Sequence, residues 1–396
     1  MNSIENYKNI VDGIFKKKLN VNVSKNTTNN CIGALNSNKE FTVFTTNFKK
    51  ALERIYNHYK SDAKTVEEIL NTLKQLGESE GYKWAGFYSE IIALDYFIQC
   101  KILGIKYQNK YKNGDNIYEN SLAKITGGKE VDIDLYLKTA PYSFYLDVKS
   151  LIPVHFQLID NIIKQVKQKT TIKDAYIAVN DFGYTDYLSI QKDLEMELNN
   201  KSGLIKNLID AVDRKESSIK YRLNSGMNIE FTIGYPPCVN ITERVICPYQ
   251  FALNYRYRIL DYYNKLLLEK PTFIVFVKHP WFNNEIEDFD CFDEKFYRSF
   301  ARRVFMELTK DDDYMSKYYE KDFKNSTLKV KDIASLISGI IFIDDKSVLK
   351  TDTEAYKTFI FLNPNAKNKQ ARDFYSMIDF INQPYYLIDN FEYDNY

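Results

Sequence analysis

Four charged residues in the first half of the chain have the spacing that places a polar cluster on one face of a β-sheet. Asp132 and Asp134 alternate with the apolar side chains of residues 131–137, and this period of two predicts a strand with both carboxylates on the same face. Asp147 and Lys149 share a face of the next predicted strand by the same parity. If the two strands form a hairpin, three carboxylates and one ammonium group converge on one side of the sheet.

Converging carboxylates repel one another unless they share a cation. Mg²⁺ suits such a site because it binds one or two carboxylates together with water and substrate phosphate, and Mn²⁺ could substitute for it. We expect Asp132 and Asp147 to be the metal ligands, and the backbone carbonyl of Val148 could supply a third oxygen. Lys149 would orient or deprotonate the attacking water, or neutralise the charge that develops on the phosphate. These residues predict metal-dependent phosphodiester hydrolysis.

The arrangement resembles the PD-(D/E)XK nuclease superfamily, also called restriction-endonuclease-like. The signature of that superfamily is an acid at a strand start followed by acid-x-Lys on the next strand. Val131-Asp132 stands at the position of Pro-Asp, and Asp147-Val148-Lys149 stands at that of (D/E)-x-K, 15 positions further along the chain from acid to acid. Valine thus replaces the proline of the motif. The resemblance covers about residues 81–179, and it implies a Mg²⁺-dependent endonuclease that leaves a 5′-phosphate.

A further acid is expected from the helix predicted upstream of the strands, at residues 81–100. Glu90 lies on an otherwise apolar face of this helix, and a buried carboxylate is unfavourable unless a partner awaits it. Members of the superfamily often place a further metal ligand on such a helix, so the resemblance assigns Glu90 to the metal site. A salt bridge to a buried lysine or an N-cap contact is the alternative for Glu90.

Asp134 competes with Asp132 for the role of first acid, because both share one face of the strand. We favour Asp132, since the acid of the motif usually precedes the apolar residues of the strand. The alternative without chemistry is a solvent-facing sheet with exposed aspartates. In that case Asp147 and Lys149 would form a surface ion pair, which stabilises a fold by less than about 1 kcal/mol.

The elements around the cluster predict a mixed α+β fold of the α/β type. Helical periodicity dominates to about residue 104, a period of two follows, and helices and strands then alternate. The resemblance refines this to a restriction-endonuclease-like central mixed sheet flanked by helices, with N-terminal helices and a large insertion. The predicted regions are an N-terminal helical region at residues 1–80, a nuclease core at 81–185, an insertion at 186–249, and a C-terminal α/β part at 250–396 that extends the core sheet or forms a specificity region.

Several polar and basic side chains are candidates for contacts with phosphates or bases. They are Lys129, Lys164, Gln165, Lys167, Arg298 and Arg302. Because 54 Lys and Arg nearly cancel 53 Asp and Glu, attraction for nucleic acid must come from local patches and not from the net charge. A lysine-rich surface that only keeps the protein in solution is the competing interpretation.

Other catalytic classes have little support in the sequence. Its three histidines form no pattern typical of other nucleases, and it contains neither a phosphate-binding loop nor a Gly-x-Ser-x-Gly elbow. Five scattered cysteines without a Cys-x-x-Cys pair argue against a zinc site. Since the sequence has no signal peptide and no apolar run of roughly 20 residues, we expect a cytoplasmic protein without a membrane segment.

The function predicted from these patterns is a Mg²⁺-dependent DNA endonuclease of a restriction or host-defence kind, acting on double-stranded DNA. Cleavage of both strands would favour a two-fold homodimer. One alternative is a catalytically silent nucleic-acid-binding or structural subunit with the same fold. Another is an RNA or repair nuclease.

Overall fold

The chain forms two compact units, which are described separately. In the computed structural model, the first unit comprises residues 1–151, 258–284 and 297–396, and the second comprises residues 152–257 and 285–296. The structure describes residues 3–22, 29–35, 41–79, 83–151, 154–179, 187–200, 203–236, 248–281, 292–310, 328–369 and 385–387. None of the helices in these ranges has the length and apolar character that crossing a bilayer requires.

Helices dominate the N-terminal part of the first unit, as the periodicity predicts. They are α1 (Ser3–Phe15), α2 (Asn30–Ala34), α3 (Thr42–Tyr59), α4 (Ala63–Glu78), α5 (Trp84–Gln99), α6 (Asn116–Glu119) and α7 (Leu122–Ile125). Helix α5 packs on more than one side, since it contacts α3, α4 and the central sheet. Helix α4 begins at a capping residue, because the carboxylate of Asp62 accepts a hydrogen bond of 3.2 Å from the backbone N–H of Thr65.

A seven-stranded mixed sheet forms the centre of the first unit, in the order β1-β2-β3-β7-β8-β9-β10. Its strands are β1 (Gly104–Lys112), β2 (Glu130–Thr139), β3 (Tyr142–Ser150), β7 (Thr272–Lys278), β8 (Ile337–Asp345), β9 (Tyr356–Leu362) and β10 (Tyr385–Leu387). Strands β3, β7 and β8 are parallel to one another, and β1 pairs antiparallel with β2. The mixed α+β class is therefore confirmed, and the C-terminal strands extend the sheet that contains the charged cluster.

The predicted hairpin of acidic strands is confirmed. Strands β2 and β3 pair antiparallel from Leu135 opposite Leu146 to Thr139 opposite Tyr142. The turn between them contains a cis Ala140–Pro141 peptide bond. On the apolar face of β2, Val131 and Ile133 are buried in a cluster with Tyr118 and Leu267, so the side of the strand opposite the aspartates belongs to the core.

The second unit has its own three-stranded antiparallel sheet, in the order β4-β6-β5. Its elements are α8 (Val154–Lys169), β4 (Tyr176–Val179), α9 (Tyr187–Asn200), α10 (Leu204–Asp213), β5 (Ser218–Arg222), β6 (Asn228–Gly234) and α11 (Pro248–Tyr255). Strand β4 therefore pairs with β6 and does not join the sheet of the hairpin. The sequence-based boundary at residue 185 differs from this division, because Ile162 of α8 is buried in one core with Leu208 and Phe231.

Two helical segments of different type follow one another after residue 247. Helix α11 is followed by a 3-10 helix (Arg256–Lys265) that leads towards β7. Helix α12 (Phe292–Arg302) is continued by a π-helical turn (Arg303–Leu308). Helix α13 (Val330–Leu336) precedes β8, and a short 3-10 turn (Asp352–Glu354) precedes β9.

Candidate active site

Strand β3 places Asp147 and Lys149 on one face of the sheet, as the parity predicts. The side chain of Asp147 is fully buried, and the Lys149 ammonium lies 2.7 Å from its Oδ1. Lys149 also lies over the ring of Tyr262, with Nζ 4.8 Å from the ring centroid, which is within range of a cation–π interaction. The surface ion pair considered as an alternative is therefore wrong for these two residues, because Asp147 has no exposure to solvent.

Asp134 joins this pair where regular pairing of β2 and β3 ends. The last paired residues on that side are Leu135 and Leu146, and the Asp134 carboxylate then accepts a 2.7 Å hydrogen bond at Oδ2 from the backbone N–H of Val148. The same oxygen is 3.9 Å from Lys149 Nζ. The structure thus gives Asp134 the contacts with the acid-x-Lys segment that the motif assigned first to Asp132.

Lys265 completes the cluster, and no feature of the sequence singled it out. It is the last residue of the 3-10 helix, and its Nζ lies 2.7 Å from Asp134 Oδ1 and 2.7 Å from Asp147 Oδ1. Both carboxylates are almost fully buried, whereas the Lys265 side chain is 24% exposed. Buried charges need compensating partners, and here two ammonium groups compensate two carboxylates.

The electrostatics of the two acids differ. Burial alone would raise the pKa of Asp134, but the ammonium groups of Lys149 and Lys265 outweigh burial and lower it. The pKa of Asp147 is raised to about 6, chiefly by burial and also by the nearby Asp134, against the opposing effect of the two lysines. Asp134 is therefore the more firmly ionised of the pair, as expected where two acids share a small site.

Glu90 reaches towards the cluster from α5 but has hydrogen-bond partners of its own. Its Oε2 accepts hydrogen bonds of 2.9 Å from the Tyr107 hydroxyl and 2.9 Å from Gln108 Nε2. Burial raises the pKa of Glu90 to about 7, and the charge of Asp134 adds to this effect. Glu90 therefore interacts with the acids through its charge and not through a direct contact. Among the described residues it forms no salt bridge to a lysine.

Gln108 is a second residue that the sequence did not reveal. It lies opposite the acidic stretch of β2 at the one position within β1 where the paired register with β2 is interrupted. Its φ of 46° is in the left-handed region, which non-glycine residues seldom adopt. Its amide also donates to Thr72 Oγ1 at 3.0 Å. Backbone strain held in place by such a polar network is typical of functional sites.

Asp132, the favoured first acid, lies two residues before Asp134 on β2, outside the cluster. It is half-buried on β2, and its Cα pairs with that of Lys110 on β1. Burial raises its pKa, and Lys265 lowers it. Its Oδ1 is buried and accepts no hydrogen bond from any described residue. Asp132 therefore has a free oxygen near the cluster but none of the direct contacts that Asp134 makes.

Carboxylates are suitable ligands for a divalent metal, but the side chains are not arranged here to hold one. Asp147 Oδ2, like Asp132 Oδ1, is buried without a hydrogen bond from the described part of the chain, and carboxylate oxygens are the ligands that Mg²⁺ prefers. Within that part, however, no three His, Cys, Asp or Glu side chains form a group that could hold a metal ion. The Lys265 ammonium bridges the carboxylates instead. The Val148 carbonyl remains a predicted ligand.

The residues predicted to contact nucleic acid lie in different parts of the two units. Lys129 is exposed immediately before β2. Arg298 and Arg302 lie on α12, where Arg302 Nη1 donates to Glu307 Oε1 at 3.1 Å. The remaining candidates lie on α8 in the second unit: Lys164, Gln165 and Lys167. Their roles stay predictions.

Comparisons with known proteins found no match. No protein-family model, no curated protein and no solved structure matches this chain. Any function assigned to the cluster of Asp134, Asp147, Lys149 and Lys265 must therefore be argued from its own chemistry.

Proposed function

We propose that this chain is a Mg²⁺-dependent endonuclease with a restriction-endonuclease-like core, acting on double-stranded DNA in restriction or host defence. The observation that carries the proposal is the convergence of Asp134, Asp147 and Lys149 from adjacent antiparallel strands, with Lys149 Nζ 2.7 Å from Asp147 and 3.9 Å from Asp134. An acid and an acid-x-Lys on neighbouring strands are the signature of that superfamily. A two-fold dimer would let the enzyme cut both strands.

Asp134 and Asp147 would hold the metal, and the oxygens that lack a hydrogen bond would add to its ligands. Asp147 Oδ2 and Asp132 Oδ1 have no hydrogen-bond donor among the described residues, and Asp134 is the acid that lies against Asp147. When bound, Mg²⁺ would supply Lewis acidity at the scissile phosphate. Glu90, held by Tyr107 and Gln108, would complete the negative potential that attracts the cation.

Lys149 would act on the attacking water and on the phosphate. Its side chain is 18% exposed, so the ammonium can meet a substrate while Asp147 fixes its position. It would orient the water by hydrogen bonding and neutralise the charge that grows on the phosphate oxygens. Charge stabilisation of this kind typically contributes 10² to 10³ in rate.

A second candidate function is a catalytically silent binding or structural subunit. One observation favours it: the two lysines already neutralise the two buried acids, with three contacts of 2.7 Å. A balanced cluster of this kind needs neither metal nor substrate, and removing one member typically costs about 3 to 5 kcal/mol because its partner is left as an uncompensated buried charge.

A cleavage assay on the full chain separates the two functions. Supercoiled duplex DNA, single-stranded DNA and RNA would each be incubated with the protein in Mg²⁺, Mn²⁺ or EDTA. We expect duplex DNA to be cut in Mg²⁺ and Mn²⁺ and not in EDTA. Cleavage of RNA alone would support an RNA nuclease, and no cleavage of any substrate would support the silent subunit.

Lys149→Ala tests whether cleavage comes from this site and not from a contaminating nuclease. The matched control is Lys357→Ala on β9, because Lys357 also lies over an aromatic ring, with Nζ 5.1 Å from the centroid of Phe359. We expect Lys149→Ala to lose cleavage and Lys357→Ala to keep it. Equal activity of the two variants would refute the proposed site.

A further inference from the structure

Lys265 occupies the position between the buried carboxylates that a shared cation would take. Its Nζ is 2.7 Å from Asp134 Oδ1 and 2.7 Å from Asp147 Oδ1, which are the short contacts of charge-assisted hydrogen bonds. Lys149 does not bridge the acids in this way, since its Nζ is 2.7 Å from Asp147 but 3.9 Å from Asp134. The two lysines therefore differ in geometry: Lys265 joins the acids, and Lys149 lies beside one of them.

The cluster is electrically balanced without a metal. Two carboxylates, Asp134 and Asp147, face two ammonium groups, Lys149 and Lys265. A divalent cation added while both ammonium groups remain would be repelled by them, and this repulsion opposes the attraction of Asp132 and Glu90, whose charges act on Lys265 from nearby. Tight metal binding therefore requires that one ammonium group move away from the acids.

Lys265 is better placed to leave than Lys149. The Lys265 side chain is 24% exposed and belongs to the last residue of the 3-10 helix, and a lysine has a long, flexible stem. Lys149 is held on a strand within the sheet and lies over the ring of Tyr262, 4.8 Å from its centroid. This contact with the ring stabilises Lys149 in place.

We infer that Lys265 is a resident counter-cation that competes with a divalent metal ion for Asp134 and Asp147. The inference rests on the proposed function, because it concerns the same two acids. Metal loading is then coupled to withdrawal of the Lys265 side chain. A polyanion such as a nucleic-acid backbone, which attracts the withdrawn ammonium group to its phosphates, would strengthen metal binding.

The direct test is the affinity for Mn²⁺ alone, measured by isothermal titration calorimetry on the full chain without nucleic acid. Lys265→Gln keeps most of the side-chain length but removes the charge. We expect Lys265→Gln to bind Mn²⁺ at least tenfold more tightly than the wild type. Equal or weaker binding by this variant would contradict the inference.

Two control variants exclude a general effect of charge. Lys278 is also buried, and its Nζ lies 3.7 Å from Asp344 on β8, so Lys278→Gln removes a comparable charge from another part of the sheet. We expect Lys278→Gln to leave Mn²⁺ affinity unchanged. Lys265→Arg retains the competing charge, and we expect it to bind Mn²⁺ no more tightly than the wild type. A gain in either control equal to that of Lys265→Gln would overturn the inference.

Thermal unfolding provides a second readout if removal of the charge destabilises the fold. Without Lys265, Asp134 and Asp147 repel each other, so we expect Lys265→Gln to melt at a lower temperature than the wild type. Millimolar Mn²⁺ should raise that melting temperature more than it raises the wild-type value, because the ion takes the position of the ammonium group. A Lys265→Gln variant that Mn²⁺ does not stabilise would count against competition.

The inference and the proposed function can fail separately. Metal-dependent cleavage by the wild type, together with unchanged Mn²⁺ affinity of Lys265→Gln, would refute the competition and leave the nuclease intact. Tight Mn²⁺ binding by Lys265→Gln, together with no cleavage of any nucleic acid, would support the competition and refute the nuclease.

Discussion

The carboxylate of Asp134 accepts a 2.7 Å hydrogen bond from the backbone N–H of Val148. In a regular antiparallel hairpin this N–H would bond to a carbonyl of the partner strand. Here a side chain takes that place because the pairing of β2 and β3 ends at Leu135 and Leu146. Asp134 therefore has two roles. It accepts the hydrogen bond of a backbone N–H in the acid-x-Lys segment, and it balances the charge of Lys265.

Substitutions of Asp134 should separate these two roles. Asp134→Asn keeps an oxygen that can accept from Val148, whereas Asp134→Ala leaves a buried N–H without a partner and Lys265 with one acid fewer. We expect Asp134→Ala to lower the free energy of unfolding by about 3 kcal/mol, and Asp134→Asn to lower it by less. Urea denaturation measures both values. Equal losses would show that the charge alone matters.

The two candidate first acids differ in their contacts, so their variants should differ in activity. Asp134→Asn removes the charge that lies against Lys149 and Lys265. Asp132→Asn changes a side chain whose buried Oδ1 has no hydrogen bond from the described residues. We expect Asp134→Asn to reduce metal-dependent cleavage more than Asp132→Asn does. Initial cleavage rates at saturating Mg²⁺ provide the comparison, and the reverse order would restore Asp132 as first acid.

Binding of the metal and catalysis should depend on different members of the pair on β3. Asp147→Asn removes the charge of the fully buried acid, and we expect both Mn²⁺ binding and cleavage to be lost. Lys149→Met removes a cation from beside the acids, and we expect Mn²⁺ binding to persist while cleavage falls by 10² or more. Calorimetry and cleavage assays on the same preparations measure both effects. Persistent cleavage by Lys149→Met would contradict the proposed role of the lysine.

His279, just after β7, should make the fold sensitive to acid. Burial and, to a smaller extent, the adjacent charge of Lys278 lower the pKa of His279 to about 3. Its Nδ1 accepts a 3.2 Å hydrogen bond from the backbone N–H of Trp281. Below about pH 6.5 the unfolded chain binds a proton at this histidine and the folded chain does not. The free energy of unfolding should therefore fall by up to about 1.4 kcal/mol for each pH unit down to about pH 3.

His279→Asn removes this titration and keeps an acceptor for Trp281. We expect the variant to lose less stability than the wild type between pH 7 and pH 5, in urea denaturation at each pH. His58→Asn is the control, because His58 is half-buried and burial lowers its pKa, and its effect should be smaller. Parallel stability curves for the wild type and His279→Asn would show that His279 is protonated in the fold.

Gly339 should tolerate no side chain, because β8 approaches its neighbours closely there. A Cβ at this position would lie 2.5 Å from the ring of Phe273 and 2.8 Å from the backbone oxygen of Phe361. We expect Gly339→Ala to destabilise the protein by about 1 to 3 kcal/mol. Gly13→Ala on α1 is the control, since nothing lies within 4 Å of its Cβ, and it should stabilise the helix by about 0.5 to 1 kcal/mol. Thermal melting distinguishes the two.

The alternation of apolar and charged residues was enough to predict the acidic hairpin. Strict parity determines which side chains share a face of a strand, and it correctly placed Asp147 beside Lys149. It could not distinguish Asp132 from Asp134, because both have the same parity. The distinction depends on where the pairing of β2 with β3 stops, and the sequence carries no local signal for that point.

Lys265 lay outside the reach of sequence analysis for a different reason. It contacts Asp134 from a distance of 131 residues along the chain, and it is one of 54 Lys and Arg residues. The periodicity of a sequence shows which residues share a face of one element. It does not show that the last residue of a 3-10 helix contacts a strand far away in the sequence. The apolar face around Glu90 did predict a buried partner, but it could not show that Tyr107 and Gln108 would be its donors.

The parallel pairing of β3 with β7 has a consequence for the order of folding during synthesis. Strand β3 ends at Ser150 and β7 begins at Thr272. More than one hundred residues are therefore synthesised after β3 before its neighbour in the sheet, β7, leaves the ribosome. The β2–β3 hairpin closes a short loop, whereas the pairing with β7 must close a long one, which is entropically less favourable and slower. Asp134 and Asp147 can therefore meet before Lys265 has been synthesised. In the nascent chain, the two acids have only Lys149 to balance them.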